Sequence, residues 1–142
     1  MSVAICDYGA GNVRSVVAAF SRLGVEARTT RDADDVGSAE LAVLPGVGSA
    51  RSAMAALRAA GLDEALRARV ADGRLTLGIC LGLQLALDES EEDGGVQGLG
   101  IVPGRAERLR EGRVPRIGWA EVRPLGEAFY FAHSYAAATE AT

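Results

Sequence analysis

The sequence predicts an α/β fold: a mostly parallel central sheet with helices on both faces, followed by a C-terminal part made of short β strands. Three observations carry that expectation. Short apolar runs recur at Val3 to Cys6, Leu41 to Leu44 and Leu75 to Ile79; each opens onto a turn containing glycine; and the segments between them carry apolar residues at helical spacing. Brief strands without polar alternation suit a sheet covered on both faces, and strands alternating with helices specify parallel pairing through right-handed crossovers.

In chain order, Val3-Ala-Ile-Cys-Asp7 reads as a strand and Tyr8-Gly-Ala-Gly-Asn12 as a tight turn. Val13, Val16, Val17, Phe20 and Leu23 then mark one face of a helix that Gly24 caps, and Val25 to Thr30 reads as a second strand. Asp32 to Ala39 reads as a polar connection into the apolar run Leu41 to Leu44, which meets Pro45-Gly-Val-Gly48. A helix with Ala50, Ala53, Met54 and Leu57 on one face ends at Gly61, and a shorter one carries Leu62, Leu66 and Val70 and ends at Gly73. The Leu75 run turns at Cys80 into a helix through Leu81, Leu85 and Leu87 that enters the acidic tract Asp88 to Asp93. Beyond Gly100 come extended pieces separated by Gly and Pro: Ile101-Val102, Arg105 to Leu109, Ile117 to Trp119, Glu121 to Arg123 and Ala128 to Tyr135. These read as hairpin strands, with Phe129-Tyr-Phe131 facing a core and delivering His133-Ser-Tyr135 to a strand end.

Size and composition narrow the function classes. With 142 residues, 49% of them apolar and 24% charged, the chain fits one domain spanning 1–142. Its net charge is −4 and its 15 Lys plus Arg are scattered, which argues against nucleic acid as a partner. No apolar run reaches membrane-spanning length and the N-terminus lacks a signal-peptide pattern, so the cytoplasm is expected. Two cysteines and one histidine supply neither a disulfide framework nor a metal set, so no metal is expected.

The chemistry concentrates on Leu75-Thr-Leu-Gly-Ile-Cys80-Leu-Gly-Leu-Gln84. Small residues two positions either side of Cys80 are what a nucleophile elbow needs, because strand and helix backbones approach closely there. The same pattern also describes a buried structural cysteine between two turn glycines. Gly46-Val-Gly48 can turn a peptide N–H toward a cavity as an oxyanion donor, or serve only as a Pro-Gly turn. Gln84 lies one helical turn from Cys80 and can face the same pocket. Gly9-Ala-Gly11 resembles the start of a dinucleotide fingerprint, but Arg14 occupies its third glycine position, so no cofactor is expected. The three turns, Gly9 to Asn12, Pro45 to Gly48 and Cys80, all follow strands of one parallel sheet and so converge at its carboxyl edge, where such sheets place their sites.

Taken together, Asp7 to Asn12, Pro45 to Gly48, Gly78 to Gln84, Ser90 to Glu92, Gly98 to Gly100, Ile117 to Trp119 and Phe129 to Tyr135 resemble the glutamine amidotransferase subunits of imidazole glycerol phosphate synthases, class I (triad) enzymes of histidine biosynthesis. The resemblance implies hydrolysis of L-glutamine to glutamate and ammonia through a cysteine thioester. Ammonia would pass to a cyclase subunit built as a (β/α)8 barrel, the two forming a heterodimer. It implies Cys80 as nucleophile, the N–H groups of Val47 and Leu81 as oxyanion hole, and Gly46, Gly48, Gln84, Glu92, Ser134 and Tyr135 as substrate-binding residues. Glu92 would pair with the substrate ammonium, and the backbone at Ser134 and Tyr135 would hold its carboxylate.

The sequence departs from the family pattern in one large respect. The family completes its site with a His-Pro-Glu motif after the His-Ser-Tyr segment, and this sequence reaches Thr142 without one; closing elements of the fold are therefore expected to be missing and a flank of the sheet to lie open. Its only histidine, His133, matches a family position that is not the general base. Arg116, Ala120 and Leu83 stand where His, Asn and Met are usual. Loss of members of a catalytic unit lowers rate by on the order of 10⁴ to 10⁶, so this polypeptide alone is expected to be weak or inactive. Two other classes remain in view: a non-catalytic module that docks a cyclase or binds glutamine, and a flavodoxin-like nucleotide binder at Gly9 to Asn12.

Overall fold

The computed structural model describes residues 1–138; Thr139 to Thr142, which the sequence reading includes in the domain, lie outside the described residues. Four parallel strands, β1 (Val3–Cys6), β2 (Ala27–Thr30), β3 (Leu41–Leu44) and β4 (Leu75–Gly78), form a sheet in the order β2-β1-β3-β4. Helix α1 (Val13–Arg22) covers one face, packing Val13, Val16, Val17 and Phe20 on Val3, Ile5 and Val43. The opposite face meets α2 (Ala33–Ser38), α3 (Ala50–Ala59) and α4 (Leu62–Ala71), whose Val36, Met54, Leu57, Leu62 and Leu66 bury Cys6, Ala42 and Leu44. Helices on both faces of a parallel sheet are what the alternating apolar pattern requires.

The register explains where this cover stops. Leu75 and Leu77 of β4 pair with Leu41 and Val43, so they point to the α1 side, but α1 lies over β1 and β3. Leu75 is 67% exposed and Leu77 44%, and Ile79 and Leu83 are also exposed. Burial on both faces therefore holds for β1 and β3 and fails at the edge strand β4.

Several element assignments change. The polar connection after β2 is the helix α2, whose N-cap Asp32 accepts from the N–H groups of Asp34 and Asp35 at 2.8 and 3.2 Å. The second strand begins at Ala27 instead of Val25, and Leu23 caps α1 in solvent instead of packing beneath it. Helix α5 (Leu81–Ala86) stops before Leu87, and the start of the acidic tract is a strand, β5 (Leu87–Ser90), followed by a 3₁₀ turn (Glu92–Gly94) and β6 (Val96–Gln97). The Ile101-Val102 and Arg105-Leu109 pieces merge into β7 (Val102–Arg108), which runs parallel to β5 and antiparallel to β10 (Tyr135–Ala138), a mixed sheet in place of hairpins alone.

The remaining strands, β8 (Arg116–Val122) and β9 (Glu127–His133), do form an antiparallel hairpin. Among the described residues they pair only with each other, so Phe129-Tyr-Phe131 is not a core strand there: Phe129 is 43% and Tyr130 58% exposed.

One buried cation has no counterpart in the sequence reading. Arg69 of α4 is buried and donates to the carbonyls of Val36, Gly37, Ala39 and Leu75 and to the Thr76 hydroxyl, tying the end of α2 to β4 with no carboxylate partner among the described residues.

Candidate active site

Cys80 sits between the last residues of β4 and the first of α5, at φ 54° and ψ −116°. Residues bearing a Cβ seldom adopt that conformation, and holding one there costs about 1–3 kcal/mol. The chain can make the corner because its neighbours are small. A Cβ at Gly78 would lie 2.9 Å from the Leu83 Cα and N, and a Cβ at Gly82 would overlap the Leu44 carbonyl oxygen. The Ile79 N–H bonds that same carbonyl at 3.0 Å, fastening the elbow to the end of β3. The Cys80 carbonyl then starts α5 by accepting from Leu83 and Gln84, while the thiol side is exposed. Cys6 is the opposite case: burial within the sheet pushes its thiol up to about 12 from an ordinary 9.0, which keeps it protonated and inert.

The Pro45–Gly48 turn is brought against the elbow by contact between glycines. A Cβ at Gly46 would be 2.9 Å from the Gly82 N, the Leu81 Cβ and the Tyr8 Oη, so only glycine fits. Gly46 is therefore buried beneath the site and does not line it, whereas Val47 is exposed and Gly48, at φ 91°, faces the opening. Gly11 is likewise a close-approach residue: its Cβ would meet the Pro45 ring at 3.3 Å, so this glycine turn packs on the next loop.

A cleft of about 380 Å³ opens at Cys80, lined by Val47, Gly48, Leu81, Gln84 and Glu92 and, across from them, by Pro115, Ile117 and Ala132 to Tyr135. That volume lies at the lower end of small-ligand sites. The structure thus gathers Cys80, both N–H bearers Val47 and Leu81, and Gly48, Gln84, Glu92, Ser134 and Tyr135 in one place, from four separate stretches of chain. Leu81 opens α5, so its N–H has no intrahelical acceptor. Gln84 donates to the Tyr135 carbonyl at 3.4 Å, and the Ser134 carbonyl accepts from the Leu109 N–H at 2.9 Å, which fixes the far wall. Glu92 accepts from the Ala50 N–H at 2.9 Å. His133 shares the wall; its Nδ1 lies 2.8 Å from the Tyr135 carbonyl, its Nε2 is buried without a partner, and no hydrogen bond joins it to Cys80 among the described residues. Among the described residues no group of three or more His, Cys, Asp or Glu comes together to hold a metal.

The CobB/CobQ-like glutamine amidotransferase domain family matches residues 15–124. The imidazole glycerol phosphate synthase subunit HisH of Exiguobacterium sibiricum is 46% identical over 136 residues, covering 95% of this chain and 69% of that protein. The chain belongs to the HisH family of glutamine amidotransferases. The corresponding HisH subunit of Methanothermobacter thermautotrophicus is 45% identical over 144 residues, covering 94% of this chain and 72% of its own. A crystal structure of a glutamine amidotransferase superposes with a TM-score of 0.76 at 26% identity, over 97% of this chain and 73% of that one. The doubly covered parallel sheet is thus shared with a solved member of this enzyme class.

Within this HisH-family site, sequence reasoning missed Pro115, Ile117 and Ala132 as lining residues and the hydrogen-bonded support behind Glu92. Ile117 was within reach, since it belongs to the Ile-Gly-Trp segment. The support was not: Asp93 accepts from the Ser49 hydroxyl at 2.6 Å across 44 residues of chain, and an acidic tract read alone is a solvated one.

Proposed function

We propose that this chain hydrolyses L-glutamine to glutamate and ammonia as the glutaminase subunit of an imidazole glycerol phosphate synthase, in cytoplasmic histidine biosynthesis. The observation that supports it most is the joining of an exposed, elbow-mounted Cys80 to Val47, Leu81, Gln84, Glu92 and the Ser134-Tyr135 backbone in one cleft. Cys80 Sγ attacks the carboxamide carbon, and the carbonyl electrons move to an oxygen held by the Val47 and Leu81 N–H groups. Collapse breaks the C–N bond and expels ammonia, which takes up a proton as it leaves. Water then cleaves the glutamyl thioester and restores the thiol. Glu92 orients the substrate through its ammonium group, and the Ser134-Tyr135 backbone holds its carboxylate.

His133 points Nδ1 at the Tyr135 carbonyl and, among the described residues, makes no hydrogen bond to Cys80, so it is not assigned as general base. The reading rests instead on the exposed Cys80 thiol and the groups gathered around it in the cleft. Two measurements test this together. The glutamine-shaped diazoketone 6-diazo-5-oxo-L-norleucine, which alkylates a thiol with loss of N₂, should add one adduct at Cys80 and none in Cys80→Ser. Glutamate release with the cyclase subunit present should be lost in Cys80→Ser. Failure to form the adduct, or glutamate release unchanged in Cys80→Ser, would refute the glutaminase reading.

The ammonia acceptor is a cyclase subunit, a (β/α)8 barrel, and the hairpin suits it. Ile117 and Ala132 line the cleft and share a face with Trp119 and Tyr130, whose rings meet edge to face at 5.7 Å. Trp119 is 74% exposed, so an aromatic apolar surface continues directly from the cleft mouth, where a partner must sit if ammonia is to avoid bulk water. Trp119→Ala should leave stability within about 0.5 kcal/mol and weaken cyclase binding by about 2 kcal/mol. Unchanged affinity would place the docking surface elsewhere.

A further inference from the structure

The turn that offers Val47 to the cleft has glycine on both sides, and two glycines leave a peptide free to rotate. Its ends, however, are held. Upstream, the buried Tyr8 hydroxyl donates to the Pro45 carbonyl at 2.6 Å, and burial raises the Tyr8 hydroxyl above its ordinary range, so it remains a donor. Downstream, Ser49 N-caps α3 through the Ser52 N–H and donates its own hydroxyl to the Asp93 carboxylate at 2.6 Å. That carboxylate also accepts from the Arg51 N–H at 3.3 Å, and the Arg51 guanidinium returns to the carbonyls of Asp93 and Gly95 at 2.6 and 3.3 Å. Asp93 makes these bonds from a left-handed backbone, φ 54° and ψ 28°, a conformation that Asp tolerates better than most residues. Glu92, next to it, accepts from Ala50, so two consecutive acids grip the first turn of α3 immediately after the Val47 turn.

Neither Tyr8 nor Asp93 lines the cleft. We propose that they are positioning residues that pin the two ends of the Pro45–Ser49 turn, holding the oxyanion donor at Val47 and the ammonium acceptor Glu92 in one frame around Cys80. The proposal rests on the glutaminase reading above. Its physical basis is that a displacement of about 1 Å from the attacking geometry lowers rate by up to about 10²-fold. Only the three residues between Pro45 and Ser49 are then left to move when glutamine enters.

The test compares two reagents on the full 142-residue chain, its Tyr8→Phe, Asp93→Ala and Asp93→Asn variants, and Cys80→Ser as the blank. Iodoacetamide needs only an accessible thiol; 6-diazo-5-oxo-L-norleucine also needs Glu92 and the oxyanion donors in register. In Tyr8→Phe and Asp93→Ala the diazoketone rate should fall by about tenfold or more while the iodoacetamide rate stays within about twofold, and Asp93→Asn, which keeps an acceptor oxygen, should recover part of the loss. Equal diazoketone rates in wild type and both variants would overturn the clamp. A parallel fall with both reagents would overturn it too, since that marks a general loosening of the fold. If wild type itself reacts with iodoacetamide and never with the diazoketone, the glutaminase reading fails first and the clamp goes with it.

Discussion

Replacing Gly82 by alanine sets two effects of opposite sign against each other. Gly82 lies in α5 with an ordinary helical backbone, so by intrinsic propensity alanine should stabilise the helix by about 1 kcal/mol. The space is occupied, however: the new Cβ would overlap the Leu44 carbonyl oxygen, with the carbonyl carbon at 2.8 Å and the Leu44 Cγ at 3.3 Å. Backbone cannot yield as a flexible side chain does, so the start of α5 must withdraw from β3 by on the order of 1 Å to reach ordinary contact. Overpacking of this kind costs about 1–3 kcal/mol, and withdrawal also strains the bond from the Ile79 N–H to the same carbonyl, worth about 1 kcal/mol. The clash wins, and a net loss of about 2 kcal/mol is expected, or roughly 5–10 °C in melting temperature for a chain of this size. Gly37, helical in α2 with open space around its Cβ position, supplies the control: Gly37→Ala should gain about 0.5–1 kcal/mol. Urea and thermal unfolding of both variants decide the matter. Gly82→Ala at or above wild-type stability would refute the close-approach account of the elbow.

The two cysteines should separate in a labelling experiment, with Cys80 alkylated in the folded chain and Cys6 only on unfolding. Because the Cys6 thiol is raised from 9.0 to about 12 on folding, the unfolded chain loses its proton first; stability from this site is complete below pH 9 and declines as pH rises toward 12, and Cys6→Ala should flatten that decline in pH-dependent unfolding. An identical alkaline slope in both proteins would count against it. Arg69→Ala should destabilise by about 3 kcal/mol, because several backbone carbonyls each lose a charged donor, and Arg69→Lys should recover less than half, since one ammonium cannot span the fork of acceptors; full rescue by lysine in denaturant titration would contradict the fork.

Much of the parallel half was legible because its signals are local. Val13, Val16, Val17 and Phe20 repeat at helical spacing, and they are the residues that pack on Val3, Ile5 and Val43. Helix α2 escaped notice since Val36 is its one buried apolar residue; only Asp32 ahead of Asp34 and Asp35 marked a cap. At Leu87 the sequence misleads outright. The leucine spacing continues a helix, but Gly98 packs against the Leu85 and Leu87 carbonyls and β7 pairs alongside, so tertiary contacts convert the segment to strand. The aromatic run Phe129 to Phe131 reads as core for the same reason it is exposed: composition reports a wish for burial, and only the partner of a two-stranded ribbon can grant it.

The site follows this division. Cys80 and the Pro45–Gly48 turn were visible as pairs of small residues, because close backbone approach leaves no other choice of side chain. Glu92 could be placed only by resemblance, and Asp93 not at all, since nothing within either segment records that residues 49 and 93 meet. The comparison of the two thiols shows what decides reactivity here. Cys6 and Cys80 follow strands of the same sheet, yet Cys6 is the last residue inside β1 with β2 and β3 on either side, while Cys80 lies two residues beyond β4 on a backbone turned to positive φ. Two residues of chain therefore separate a thiol that burial silences from one that an open cleft receives. Had the turn come at Gly78 itself, the same cysteine would lie within the helix instead of at the corner that opens on the cleft. The elbow glycines act by setting where the strand stops, and every role assigned to the cleft depends on that stopping point.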